Sequence, residues 1–188
     1  MYDLHSILIQ LKKEDTPLHG VMVRCVRCFY QWLDPTLWEG SALFELWAQE
    51  LELIYGDLRQ RLSPNAKTDA GSLGDRFGFD TPPELPRLLQ SIQTFYSVLI
   101  KLIAWNTLRG ATPEPPLTEL LSGRAFVNRG IRNFCGDDWY IWPLDIWDPA
   151  LETQCEELRA CLDAFDTCPE GSTLSPDSFS RIYETVVP

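Results

Sequence analysis

The sequence predicts an all-α protein, an irregular helical bundle around a central apolar helix at about residues 87–108, with a Gly- and aromatic-rich irregular segment at about residues 122–147. Apolar residues recur mainly at helical spacing, and the strict alternation typical of strands is scarce. Apolar residues make up 45 % of the chain and charged residues 23 %, which is typical of globular proteins. Seven tryptophans and nine phenylalanines indicate a bulky core. The length of 188 residues favours one helical domain, residues 1–188.

Two helices are predicted in the first third of the chain. Leu18 to Leu33 is the first, and it should end near Asp34-Pro35 because the residue before a proline disfavours the helical conformation. Ser41 to Leu62 is the second, with one apolar stripe that should form a buried face. The stripe consists of Leu43, Leu46, Trp47, Leu51, Ile54 and Leu58. Residues 63–86 are rich in Gly, Pro, Ser and Asp, and predict a long loop with room for one short turn.

The stretch from Arg87 to Leu108 is apolar around most of the helical circumference, which places it in the centre of the bundle. Its most apolar part, Phe95 to Trp105, is too short for a membrane span and contains Lys101. The N-terminus lacks the basic start and apolar run of a signal peptide. We therefore expect a soluble, cytoplasmic protein without a membrane partner.

The last third should return to regular helix after a proline-rich link at residues 109–119. The irregular segment at 122–147 predicts short helices or a small hairpin packed onto the bundle. Glu152 to Phe165 predicts a helix with one apolar side. A final amphipathic helix should follow Ser175 as N-cap and Pro176 as first helical residue. Its apolar positions are Phe179, Ile182, Tyr183 and Val186.

The charge balance argues against a primary DNA-binding surface. Sixteen Lys and Arg against 27 Asp and Glu give a formal net charge of -11, which repels a phosphate backbone on average. One local cluster of basic and aromatic residues remains a candidate contact to DNA or to a partner protein. Its basic members are Arg124, Arg129 and Arg132. Local pairing of these arginines with Asp137 and Asp138 is the favoured interpretation, because isolated basic clusters are commonly neutralised nearby.

No catalytic, cofactor-binding or metal-binding residue is predicted. The common nucleophile, phosphate-binding and dinucleotide-binding motifs are absent from the sequence. The adjacent carboxylates Asp137 and Asp138 point in different directions and form a poor metal pair. Cys25-x-x-Cys28 resembles half of a zinc site without a second half, and we interpret it as two reduced, half-buried helical thiols in preference to a metal or redox site.

Three segments share patterns with one protein family. "IQTFYSVLIKLIAWNTL" fits T-[FY]-Y-x-x-L-x-K-L-[IL]-A, and "GIRNFCGDDWYIW" fits G-[IV]-x-N-F-x-x-x-D-[WF]-[FY]-x-W. "DSFSRIYETVVP" fits D-x-[FL]-x-x-[IL]-Y-[EQ]-x-[LIV]-[LIV]-P. In this order the segments resemble the N-terminal helical region of large adenine-specific (N6) DNA methyltransferases of restriction-modification and phage-defence systems. The resemblance covers about Phe44 to Pro188.

The resemblance implies a helical region that precedes a methylase domain of the same chain. The family's N-P-P-[YF] tetrapeptide and glycine-rich methionine-binding loop do not occur here, and "DTPPE" at residues 80–84 has neither the order nor the aromatic residue. The resemblance therefore implies that S-adenosylmethionine and DNA are ligands of a longer parent protein. It implies no catalytic or cofactor residue in this segment. The alternative is a free-standing helical protein–protein interaction module without enzymatic activity.

The segment from Gly130 to Trp142 is expected to be a structural clasp and not a catalytic site. Asn133 should be buried, with its amide bonded to local backbone, because Asn beside Gly and Phe favours side-chain capping of a tight turn.

Overall fold

The computed structural model describes residues 4–33, 46, 49, 73–108, 110, 112–135, 140–164 and 176–186. Within these ranges the regular structure is helical and no strand occurs, which confirms the predicted all-α class. A single helical turn lies at residues 73–76. The helices are α1 (Leu4–Lys12), α2 (Pro17–Trp32), α3 (Leu85–Leu108), α4 (Leu117–Leu121), α5 (Arg124–Val127), a 3-10 helix (Trp142–Leu144), α6 (Pro149–Asp163) and α7 (Pro176–Val186).

Side-chain caps fix where α2 and α6 begin. The Thr16 hydroxyl accepts a 3.3 Å hydrogen bond from the backbone N–H of His19, and Pro17 follows as the first helical residue. Asp148 accepts a 2.7 Å bond from the N–H of Ala150 at the start of α6, again with proline next in the chain. An N-cap oxygen followed by proline is a strong start signal. Helix α6 consequently begins at Pro149, earlier than its apolar pattern alone predicts.

Helix α3 is the centre of the bundle, as predicted, and packs against α2, α4, α6 and α7. Ile92, Phe95, Leu99 and Ile103 along it are completely buried. By length and composition α3 is long and apolar enough to cross a membrane, but 72 % of its apolar window is buried inside the protein. That burial is typical of the core helix of a soluble protein.

The predicted helix from Ser41 to Leu62 lies outside the described residues except for Leu46 and Gln49. Both are helical and exposed. Leu46 is 47 % exposed, so its predicted place on a buried face is wrong. Apolar spacing identifies one side of a helix, but only a neighbouring element that packs there removes it from water.

The two ends of the described chain pack together. Helix α1 contacts both α2 and α7, and Ile7 of α1 and Ile182 of α7 are completely buried. From the turn at 73–76, Arg76 donates a 2.5 Å hydrogen bond to the carbonyl of Thr185 in the last turn of α7. A cation at a helix C-terminus offsets the partial negative charge of the last carbonyls. This contact therefore stabilises the end of α7.

Candidate functional site

Buried polar side chains of α3 bond to other elements of the bundle. Lys101 is 3 % exposed, and its Nζ donates a 2.8 Å hydrogen bond to the carbonyl of Leu121, the last residue of α4. The amide of Asn106 donates a 3.0 Å bond to the carboxylate of Asp163 at the end of α6. Because a buried polar group that loses its partner costs about 1–3 kcal/mol, each bond favours one position of the second element on α3.

The end of the irregular segment is attached to the first half of α3. The indole Nε1 of Trp142 donates a 2.9 Å hydrogen bond to Thr94 Oγ1, which in turn donates a 2.8 Å bond to the carbonyl of Gln90. The hydroxyl of Tyr140 donates a 2.6 Å bond to Oε1 of Gln93. Two aromatic side chains of the segment thus contact adjacent positions of one helix, the geometry of a structural clasp.

The third family-like segment also contacts α3. The ring of Tyr183 in α7 packs edge-on against the ring of Tyr96, with centroids 5.2 Å apart and planes at 83°. Ile182 and Val186 are completely buried beside it. The three segments quoted from the sequence therefore meet on the helix that carries Thr94 and Tyr96.

The prediction that Asn133 is buried is wrong, because its side chain is exposed. Phe134 holds this turn instead, with its ring centroid 4.4 Å from that of Phe126. The carbonyl of Phe134 approaches Gly123 so closely that a Cβ at Gly123 would lie 2.0 Å from it. With Phe134 packed inward, Asn133 faces solvent. Asp138 lies outside the described residues.

The three candidate arginines are exposed and lie within one short stretch, residues 124–133, which we call the arginine turn. Arg129 donates a 2.9 Å hydrogen bond to the carbonyl of Leu108 and a second bond to the hydroxyl of Thr112. Its guanidinium also lies 5.7 Å from the ring centroid of Trp105. Arg129 is exposed, yet it fastens the turn to the C-terminal end of α3.

Arg124 and Arg132 have a different environment from Arg129. Both are exposed, and in the part of the chain that the structure describes neither guanidinium has a hydrogen bond or an ion pair. Asp137 and Asp138, the predicted partners of these arginines, lie outside that part. The structure brings the three arginines onto one turn, and among the contacts of the described residues only Arg129 has a packing role.

A shallow cleft of about 190 Å³ lies beside Arg124. Its lining consists of Thr118, Glu119, Ser122, Arg124 and Leu144. Small-molecule sites usually enclose roughly 300–1,000 Å³ and are mainly apolar or aromatic. The cleft is smaller and has no aromatic wall, so it does not fit S-adenosylmethionine.

The Cys25 and Cys28 thiols are free and lie on α2, as predicted. Cys28 is half-buried as predicted, whereas Cys25 is completely buried. Burial raises the pKa of Cys25 well above its ordinary value, and it raises the pKa of Cys28 to about 11. The neighbouring Cys155 of α6, also buried, has its pKa raised to about 12. Such thiols stay protonated at neutral pH and are poor nucleophiles and metal ligands. Among the described residues, no three His, Cys, Asp or Glu side chains form a group that could hold a metal ion.

Comparison with known proteins identifies no relative: no protein-family model matches the chain, and no curated protein or solved structure does. A functional assignment has to come from the residues and their arrangement.

Sequence reasoning missed the role of Lys101, which served only as an argument against a membrane span. The available signal was a single charged residue within a helix that is apolar nearly all round. Such a residue is buried in the folded protein and needs a partner on another element. Nothing local in the sequence identifies that partner as the carbonyl of Leu121.

Proposed function

We propose that this chain is the N-terminal helical scaffold domain of a cytoplasmic, site-specific adenine-N6 DNA methyltransferase of a restriction-modification or phage-defence system. One observation carries the proposal: the first segment that resembles this family is part of α3, and the other two segments both contact it. In the scaffold role the domain supports a methylase domain of the same chain and is not catalytic by itself.

The contacts on α3 give a physical reason for the residue types in the family patterns. Thr94, Tyr96 and Lys101 are pattern positions of the first segment, and each bonds or packs to a different element. Trp142 and Tyr183 are pattern positions of the other two segments and are partners in these contacts. A protein that shares all three patterns therefore has the residues for the Thr94–Trp142 and Tyr96–Tyr183 contacts and the lysine of the third contact.

Adenine-N6 methylation requires an extruded base held in a closed pocket next to the methyl donor. The proposal assigns that pocket and S-adenosylmethionine to the methylase domain. Within the described residues, the cleft beside Arg124 is too small for this task and has no aromatic residue to stack on a base. The expected contribution of the scaffold is a rigid platform, and contact with DNA through its surface.

The gene downstream of the Pro188 codon tests the proposal. The expected result is an in-frame continuation with a G-x-[YF]-Y-T-P signature followed by N-P-P-[YF]. A stop codon directly after Pro188, or a continuation without these signatures, would favour the free-standing interaction module instead.

A further inference from the structure

We propose that the arginine turn contacts the phosphate backbone of duplex DNA through Arg124 and Arg132, with Arg129 as the residue that positions the turn. The choice of duplex DNA as partner rests on the proposed function. The position and chemistry of the contact rest on the geometry of residues 123–135.

The first argument is the local charge. Residues 123–135 contain three arginines and no Asp or Glu, although the whole chain has a formal net charge of -11. An anionic polymer is repelled by the average surface of such a protein and attracted only where positive charge is concentrated. Arg124 and Arg132 supply this charge without a partner among the described residues.

The second argument is the rigidity of the turn. The backbone N–H groups of Arg129 and Ile131 both donate to the carbonyl of Phe126, at 2.9 and 3.1 Å. The N–H of Cys135 donates a 3.0 Å bond to the carbonyl of Arg132. The side-chain bond from Arg129 to Leu108 anchors the turn to α3. A contact loop that is already ordered loses less conformational freedom on binding.

The third argument is the chemistry of the exposed side chains, which favours nucleic acid over an acidic protein. Protein–protein hot spots are enriched in Trp, Tyr and Arg that fill well-packed pockets, and the arginine turn contains no Trp or Tyr. Phosphates are contacted by Arg, Asn and backbone N–H groups. Gly130 leaves the backbone open, because a Cβ there would meet nothing within 4 Å. Within residues 127–133 the exposed residues are Val127, Asn128, Arg129, Gly130, Arg132 and Asn133.

The test is a titration of a fluorescently labelled DNA duplex with the 188-residue protein, followed by anisotropy at several salt concentrations. Two phosphate contacts predict a slope of about -2 for log K against log salt, or about tenfold weaker binding between about 50 and about 200 mM salt. Arg132→Ala should reduce the slope to about -1, and the same salt change should then weaken binding only about threefold to fourfold. Arg124→Ala should act in the same way.

Arg181→Ala is the matched control, because Arg181 is exposed on α7 and its loss changes the net charge equally. It should leave the slope near -2. An equal effect of Arg132→Ala and Arg181→Ala would overturn the proposal, since binding would then reflect only overall charge. Absence of duplex binding at low salt, or tighter binding of polyglutamate than of DNA, would also overturn it. Thermal melting of each variant confirms that it is folded, and the downstream gene sequence tests the methyltransferase assignment separately.

Discussion

The indole N–H of Trp142 donates its hydrogen bond to the hydroxyl of Thr94, 48 positions earlier in the chain, and both side chains are buried. A buried tryptophan usually needs a partner for its N–H. Here the partner lies on the central helix, so one bond connects the irregular segment to the core of the bundle.

Thr94→Val should lower the free energy of unfolding by about 1–3 kcal/mol, because it keeps the side-chain shape but removes the hydroxyl that accepts the buried N–H of Trp142. Thr107→Val is the control, since Thr107 on the same helix bonds only the carbonyl of Ile103 among the described contacts. Thr107→Val should lower the free energy of unfolding by clearly less than Thr94→Val does. Urea unfolding of both variants measures the difference, and equal losses would show that the Trp142 bond contributes nothing.

Leu99→Ala should lower the free energy of unfolding by about 2–5 kcal/mol, because Leu99 is completely buried in α3 and its truncation leaves a cavity. The exposed Gln31 at the end of α2 supplies the comparison, and Gln31→Ala should be within about 0.5 kcal/mol of the parent protein. Thermal melting is sufficient to compare them. A Leu99→Ala variant as stable as Gln31→Ala would contradict the central position of α3.

Gly123→Ala should be far more damaging than Gly130→Ala. Both glycines have left-handed backbones, with φ of 80° and 76°, where an alanine costs roughly 1–2 kcal/mol. At Gly123 the new Cβ would also collide with the carbonyl of Phe134, whereas the space around Gly130 is open. Denaturant unfolding should therefore show the strain cost alone for Gly130→Ala and a larger loss for Gly123→Ala. Equal losses would show that the contact between Gly123 and Phe134 is not close.

Alkaline pH should destabilise the protein through its buried thiols. Burial raises the pKa of Cys155 from about 9 to about 12, so between these values the unfolded chain loses the proton while the folded chain keeps it. The stabilisation is complete below pH 9 and is lost as pH rises toward 12, by about 1.4 kcal/mol per pH unit for one thiol. Cys155→Ala lacks this contribution. Unfolding measured at pH 8 to 11 should give a shallower decline for the variant, and parallel declines would refute the burial of the thiol.

The main helices could be predicted from the sequence because their signals are local. Apolar spacing identified α2, α3 and α6, and the Ser175-Pro176 start signal identified α7. Helix α1 was missed: it has only nine residues and no acidic residue in its first turn, and Asp3, an N-cap residue type directly before it, was not used as a start signal. It gains stability from its packing against α2 and α7, which no local pattern shows.

The candidate site was less predictable because its contacts join distant parts of the chain. The sequence placed Arg124, Arg129 and Arg132 in one cluster, but the packing role of Arg129 depends on the position of Leu108 at the end of α3. The orientation of Asn133 depends on the inward packing of Phe134. Residue type alone does not determine which of two neighbouring side chains faces the core.

The central claim is that this chain is the non-catalytic scaffold of an adenine-N6 methyltransferase. Mass spectrometry of DNA from cells that express either the whole gene or residues 1–188 alone tests it most directly, with the nucleoside N6-methyladenine as the quantity measured. The account predicts N6-methyladenine above background with the whole gene and none above background with residues 1–188. Background levels with the whole gene, or methylation by residues 1–188 alone, would contradict it.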